Sequence, residues 1–125
     1  MPTILIVEDD DAIRGILLDL LSEKYECNTA STAEEAIAYI EIESYDVVLT
    51  DISMAGLTGL HVMDRIHRKD TNTPVILISG KGNEQDPQSL IDLGAFAYVT
   101  KPFDLDEMEA LVERALNREG SSDSN

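Results

Sequence analysis

Four short apolar segments that each end in a polar residue constrain the fold of this 125-residue chain more than any other feature. Each segment has the length and the composition of a buried strand, and a helical pattern follows each one. Parallel strands joined in this way place their carboxyl ends along one edge of a sheet, where open α/β folds bind ligands. The segments with their closing residues are Ile4–Val7 with Glu8 and Asp9, Val47–Thr50 with Asp51, Val75–Ile78 with Ser79, and Tyr98–Thr100 with Lys101 and Pro102.

The whole chain alternates strand and helix patterns, which predicts an α/β fold with helices on both faces of a parallel sheet. A fifth, more polar strand is predicted at Glu26 to Ala30 and belongs at an edge of the sheet. Among doubly wound folds of this size, the strand order 2-1-3-4-5 is the expected one. This order places the first, third and fourth strands side by side and brings Glu8, Asp9, Asp51 and Ser79 together.

Helix start signals support the same alternation. The predicted caps are Asp10 or Asp11 for the first helix, Ser31 or Thr32 for the second and Asp104 for the last. Proline is tolerated only in the first turn of a helix. Pro87 therefore predicts a short fourth helix that starts after Asp86 and runs to about Leu93, with Gly94 ending it.

The composition of the chain argues against a nucleic-acid-binding protein and against a membrane protein. The net charge of −16, from 25 acidic and 9 basic residues, disfavours direct binding of nucleic acid by this chain, because an acidic surface repels phosphates. No apolar run approaches the roughly 18 residues of a membrane span, and no basic segment precedes an apolar stretch at the N-terminus. The single cysteine, Cys27, is expected to fill space in the core. We expect a cytoplasmic protein with no membrane association.

Four motifs in this order resemble the receiver domain of the two-component response-regulator family, in its chemotaxis-regulator-like form. They are Val7–Asp10, Leu49–Gly56, Ile78–Gly80 and Tyr98–Phe103. The resemblance covers residues 3 to about 118 and implies the (βα)5 flavodoxin-like receiver fold. It divides the chain into a receiver domain at 1–119 and a flexible polar tail, or the start of a linker, at 120–125.

The resemblance also implies a phosphorylation site. Asp51 would be the nucleophile and the phosphorylated residue, and carboxylates do form acyl phosphates in other proteins. Ser79 and Lys101 would contact the phosphoryl oxygens. Mg²⁺, for which Mn²⁺ can substitute, would be held by Glu8, Asp9, Asp51 and the backbone carbonyl of Ser53, an oxygen set that suits this hard ion. Three carboxylates about 5 Å apart would repel one another by roughly 3 kcal/mol per pair at an effective dielectric constant near 20.

Two further residues take roles from the resemblance. Pro102 would be structural, following a cis peptide that aims Lys101 inward. Tyr98 would be a switch residue that moves as Ser79 moves toward the phosphoryl group, although an ordinary half-buried tyrosine of an edge strand explains the same pattern.

The implied function is that of a signalling module, not an enzyme. A histidine kinase or histidine phosphotransfer protein would donate the phosphoryl group, and a downstream protein or output domain would respond. A homodimer through the face of helix 4, strand 5 and helix 5 is also consistent with the family.

The alternative function is that of a receiver that is not phosphorylated and acts as a docking module. A dehalogenase-like phosphatase is disfavoured by Ser53, where a second aspartate is expected, and a flavin carrier by the acidic run after the first strand.

Overall fold

The computed structural model describes residues 1–53, 58–80 and 86–123, and in these residues five strands alternate with five helices. The strands are β1 (Thr3–Val7), β2 (Glu26–Ala30), β3 (Val47–Asp51), β4 (Val75–Ser79) and β5 (Ala97–Thr100). The helices are α1 (Asp11–Leu21), α2 (Ala33–Ile42), α3 (Gly59–Lys69), α4 (Pro87–Asp92) and α5 (Leu105–Asp123).

The strands form one parallel sheet in the order β2-β1-β3-β4-β5. The predicted fold class is therefore confirmed, including the edge position of the polar strand β2. The register aligns the strand ends, since Val7 pairs with Thr50, Asp51 with Ile78, and Ser79 with Thr100. Every residue that closes a strand is thus delivered to the same edge of the sheet.

The core is divided by the sheet into two clusters, because successive side chains of a strand point to opposite faces. In β1, Leu5 and Val7 pack toward α2, α3 and α4, whereas Ile4 and Ile6 pack toward α1 and α5. Strands β3 and β4 are buried along their whole length, as expected for central strands covered on both faces. This burial holds the strand ends rigidly in place.

The predicted helix starts agree with the structure, with one local difference. Asp10 caps α1 by accepting hydrogen bonds from the amides of Ala12 and Ile13, at 2.9 and 3.0 Å. Asp86 occupies the cap position of α4. Its carboxylate, however, accepts from the Ser89 hydroxyl at 3.2 Å and caps no backbone amide.

Helix α5 is longer than the sequence pattern indicates. Its backbone continues past Gly120 to Asp123, into the segment interpreted as a tail. A glycine inside a helix costs only about 1 kcal/mol relative to alanine, so a helix that is already formed can continue through it. The division of the chain into a domain at 1–119 and a tail at 120–125 stays a prediction.

Candidate functional site

Four side chains predicted at the strand ends lie together at the carboxyl edge of the sheet. Glu8 follows β1, Asp51 ends β3, Ser79 ends β4 and Lys101 follows β5. Glu8 and Ser79 are fully buried, Asp51 is 3% exposed, and the Lys101 side chain is 19% exposed. Charged groups buried to this extent require a paired charge or hydrogen bonds, and the three ionisable groups supply these to one another.

Asp51 is held through both carboxylate oxygens. Oδ1 accepts a hydrogen bond from the amide of Ser53 at 2.9 Å, and Oδ2 accepts one from Lys101 Nζ at 2.7 Å. The backbone of Asp51 is also fixed, since its carbonyl accepts from the Thr50 hydroxyl at 3.1 Å. The carboxylate is therefore oriented before any ligand arrives.

Glu8 is less completely satisfied than Asp51. Its Oε2 accepts from the amide of Asp10 at 3.1 Å. Its Oε1 lies 2.9 Å from Lys101 Nζ, close enough for an ion pair but without the geometry of a hydrogen bond, so this buried oxygen has no hydrogen-bond partner. Burial raises the pKa of Glu8 from 4.5 to about 7, and the neighbouring Asp51 adds to the rise, while Lys101 and the Asp10 amide oppose it.

Lys101 lies between the two acids and offsets their mutual repulsion. Burial alone would lower its pKa, but the hydrogen bond to Asp51 and the contact with Glu8 outweigh burial and raise the pKa above its usual value. The ammonium group is therefore charged at neutral pH. The Lys101–Pro102 peptide is cis, as the resemblance implies.

The acidic residues form a group that could hold a metal ion. Glu8, Asp9 and Asp51 each offer one carboxylate oxygen, and these oxygens lie within 4.8 Å of one another. Asp9 is exposed and so gives the group access to solvent. Several carboxylate oxygens, one of them without a hydrogen-bond partner, fit a small hard cation such as Mg²⁺, which binds through a few carboxylates and keeps waters.

The other residues predicted for the site are Ser79, Ser53 and Tyr98. The Ser79 hydroxyl donates to the Gly80 carbonyl at 3.2 Å, and the Ser79 carbonyl accepts from the Lys101 amide at 2.8 Å, which ties β4 to the Lys101 segment. Ser53 is exposed and reaches the site through its amide. Tyr98 is half-buried and packs against the core on the side of α2, α3 and α4; its role as a switch stays a prediction.

Two residues at the site were not anticipated from the sequence. Arg14 reaches back from α1 and donates from Nη1 to the Glu8 carbonyl at 2.9 Å. The spacing of Asp11 and Arg14 indicates only a surface ion pair within a helix, which also forms. Gly59 begins α3 directly against Asp51: a methyl group there would lie 2.9 Å from the Asp51 carbonyl carbon and closer still to its oxygen. The glycine itself was the available signal, because a residue without a side chain permits such a close approach.

Comparisons with known proteins agree with this geometry. A family model described as "Response regulator receiver domain" matches residues 4–113. The transcriptional regulatory protein PmrA of Pectobacterium parmentieri is 37% identical over 123 residues, which cover 97% of this chain and 55% of that protein. The uncharacterized transcriptional regulatory protein YkoG of Bacillus subtilis is 37% identical over 119 residues, covering 94% of this chain and 52% of that protein. The chain spans about half the length of these two relatives.

Solved structures give the same result. The receiver domain of NtrX from Brucella abortus has a TM-score of 0.84 and 38% identity, covering 91% of this chain and 98% of that one. A response regulator receiver domain protein from Clostridium thermocellum has a TM-score of 0.87 and 28% identity, with 96% and 98% covered. Among the described residues, no helix is long and apolar enough to cross a membrane.

Proposed function

Because the chain belongs to the response regulator receiver domain family, we propose that it accepts a phosphoryl group on Asp51 in a reaction that depends on Mg²⁺. A receiver domain is a signalling module and not a classical enzyme. The observation that carries the proposal is the setting of Asp51: a carboxylate 3% exposed, hydrogen-bonded to Lys101 at 2.7 Å and grouped with the oxygens of Glu8 and Asp9.

Phosphoryl transfer requires positioning and neutralisation of charge more than covalent chemistry from the protein. A carboxylate oxygen of Asp51 forms the new bond to phosphorus while the bond from phosphorus to the donor breaks, and the donor keeps the electron pair of that bond. Mg²⁺, held by Glu8, Asp9, Asp51 and the Ser53 carbonyl, would supply positive charge to the phosphoryl oxygens; Mn²⁺ would substitute for it.

Lys101 and Ser79 then act on the product. The Lys101 ammonium, which bonds Asp51 Oδ2 in the unmodified protein, moves to a phosphoryl oxygen. The Ser79 hydroxyl, which donates to the Gly80 carbonyl, turns to donate to another phosphoryl oxygen. Tyr98, half-buried in β5, follows Ser79 inward and changes the surface around β5, which a partner would recognise.

The partners follow from this role. A histidine kinase or a histidine phosphotransfer protein supplies the phosphoryl group, and a downstream protein or an output domain responds to the altered surface, in the cytoplasm. The relatives named transcriptional regulatory proteins are about twice as long as this chain, which supports an output domain as one such target. The alternative, a docking module that is never phosphorylated, has no observation in its favour, since the acids, the hydroxyl and the lysine are all present and adjacent.

The test is incubation with acetyl phosphate and Mg²⁺ followed by measurement of the intact mass. We expect one phosphoryl adduct in the wild type, none in Asp51→Asn and none with EDTA. Asp64→Asn makes the same substitution at an exposed position of α3 that pairs with Arg68, and it should label like the wild type. An adduct that persists in Asp51→Asn would contradict the assignment of the phosphorylated residue, and labelling in EDTA would contradict the metal requirement.

A further inference from the structure

Arg14 makes two contacts of different kinds from the first turns of α1. Nη2 pairs with Asp11, whose side chain is 88% exposed, so this pair is open to solvent and weak. Nη1 donates to the backbone carbonyl of Glu8 at 2.9 Å. The Arg14 side chain itself is only 22% exposed, because it lies against the segment that joins β1 to α1.

The Glu8 carbonyl belongs to the peptide group that precedes Asp9, so the Arg14 contact restrains the orientation of that peptide. The same segment is held before this peptide by the Glu8 amide, which donates to Ala30 at 3.0 Å. It is held after the peptide by the Asp10 amide, which donates to Glu8 Oε2 at 3.1 Å. Asp9 lies between these contacts and is exposed, so the direction of its carboxylate depends on the backbone that Arg14 restrains.

We propose that Arg14 is a positioning residue for Asp9, and that its contact with the Glu8 carbonyl sets the affinity of the acidic group for Mg²⁺. This inference rests on the proposed function, since it assumes that Glu8, Asp9 and Asp51 bind the ion. Mutation of residues that orient metal ligands from outside the coordination shell commonly lowers the affinity for the metal by tenfold or more. Arg14 would act in this way through a backbone peptide.

Charge and positioning predict opposite outcomes when Arg14 is replaced. A guanidinium near the site repels a divalent cation, so removal of its charge alone would tighten Mg²⁺ binding. Loss of the contact with the Glu8 carbonyl would free the peptide before Asp9 and weaken binding. The direction of the change therefore separates the two effects.

The experiment is calorimetric titration of Mg²⁺ into the wild type, Arg14→Gln and Arg14→Lys. We expect Arg14→Gln to bind about tenfold more weakly. Arg14→Lys keeps the charge but lacks the planar guanidinium fork, which makes the two contacts from separate nitrogens, so its affinity should lie between those of Arg14→Gln and the wild type. The amide resonances of residues 9 and 10 should shift less on addition of Mg²⁺ in both variants, a readout that general loss of stability does not produce in a folded sample.

Two controls define the contact responsible. Asp11→Asn removes the exposed ion pair and leaves the Glu8 contact, and Arg65→Gln removes an exposed arginine that pairs with Glu41 on α2; each should change Mg²⁺ affinity by less than about twofold. Equal or tighter binding by both Arg14 variants, or an equal loss in Asp11→Asn, would overturn the inference while the proposed function stands. A wild type that does not bind Mg²⁺ would overturn the proposed metal requirement and the inference with it.

Discussion

Strands β1 and β3 both lead into acidic residues, and the helices that follow them begin in different ways. Helix α1 is separated from β1 by three residues, and its contact with the end of that strand is made by a long side chain, from Arg14 to the Glu8 carbonyl. Helix α3 begins directly against the end of β3. The Gly59 amide donates to Ile52 at 3.0 Å, and the Gly59 α-carbon faces the Asp51 carbonyl with no room for a side chain.

The difference extends to the acids that the two segments carry. Asp51, on the α3 side, has a hydrogen-bond donor at each carboxylate oxygen, and its backbone carbonyl packs closely against Gly59. Glu8, on the α1 side, has one buried oxygen without a hydrogen bond and a raised pKa. Asp51 is therefore placed by close packing of its backbone, whereas Glu8, which follows β1, is placed by side-chain contacts with Lys101 and the Asp10 amide.

The largest change in the free energy of unfolding is expected on the α1 side, from the titration of Glu8 in the metal-free protein. The pKa of Glu8 in the folded state, about 7, is above the ordinary value of 4.5, so the folded protein binds the proton more tightly than the unfolded chain. This stabilisation is complete below about pH 4.5 and is lost as the pH rises through 7. Between pH 5 and pH 8 the loss is on the order of 2 to 3 kcal/mol in the free energy of unfolding.

Urea denaturation in EDTA at several pH values measures this loss. Glu8→Gln should be less dependent on pH than the wild type by that amount, because an amide does not titrate. Asp64→Asn, at an exposed position, should keep the wild-type dependence. Parallel pH profiles for the wild type and Glu8→Gln would show that Glu8 is charged throughout, and the contrast between the two acids would fail.

The next effect is expected on the α3 side, from Gly59→Ala. The added methyl group meets the backbone of Asp51 and Ile52, and neither can rotate away as a flexible side chain would. Overpacking of this kind typically costs about 2 kcal/mol. We expect the free energy of unfolding to fall by that amount and labelling by acetyl phosphate to slow, since Asp51 must shift; an unchanged stability would show that the start of α3 is not packed against Asp51.

The smallest effect is expected from the matched change on the α1 side, Gly15→Ala. Gly15 lies inside α1, and a methyl group there would meet nothing within 4 Å. Alanine in a helix interior is favoured over glycine by about 0.5 to 1 kcal/mol, so thermal denaturation should show a small rise in melting temperature. A fall in stability like that of Gly59→Ala would remove the contrast between the two helices.

The order of elements was predictable because it depends on neighbouring residues. Alternating or continuous apolar runs define strands, helical spacing of apolar residues defines helices, and these patterns are complete within about ten residues. Pro87 and Gly94 bounded α4 for the same local reason, since proline fixes its own φ and glycine adopts the positive φ that ends a helix, 119° at Gly94. The strand ends then indicated which chemical groups would meet, because parallel strands in the order 2-1-3-4-5 share one edge.

The tertiary structure alone decided how those groups meet. Lys101 bonds Asp51 across 50 residues of sequence and also contacts Glu8, so the repulsion expected among the carboxylates is offset by a cation whose distance from each acid no local pattern reveals. The raised pKa of Glu8, the reach of Arg14 to the Glu8 carbonyl and the fit of Gly59 against Asp51 depend in the same way on packing between elements. Local patterns specify which backbone each segment adopts, but distances, burial and charge balance arise only when segments distant in sequence are packed together.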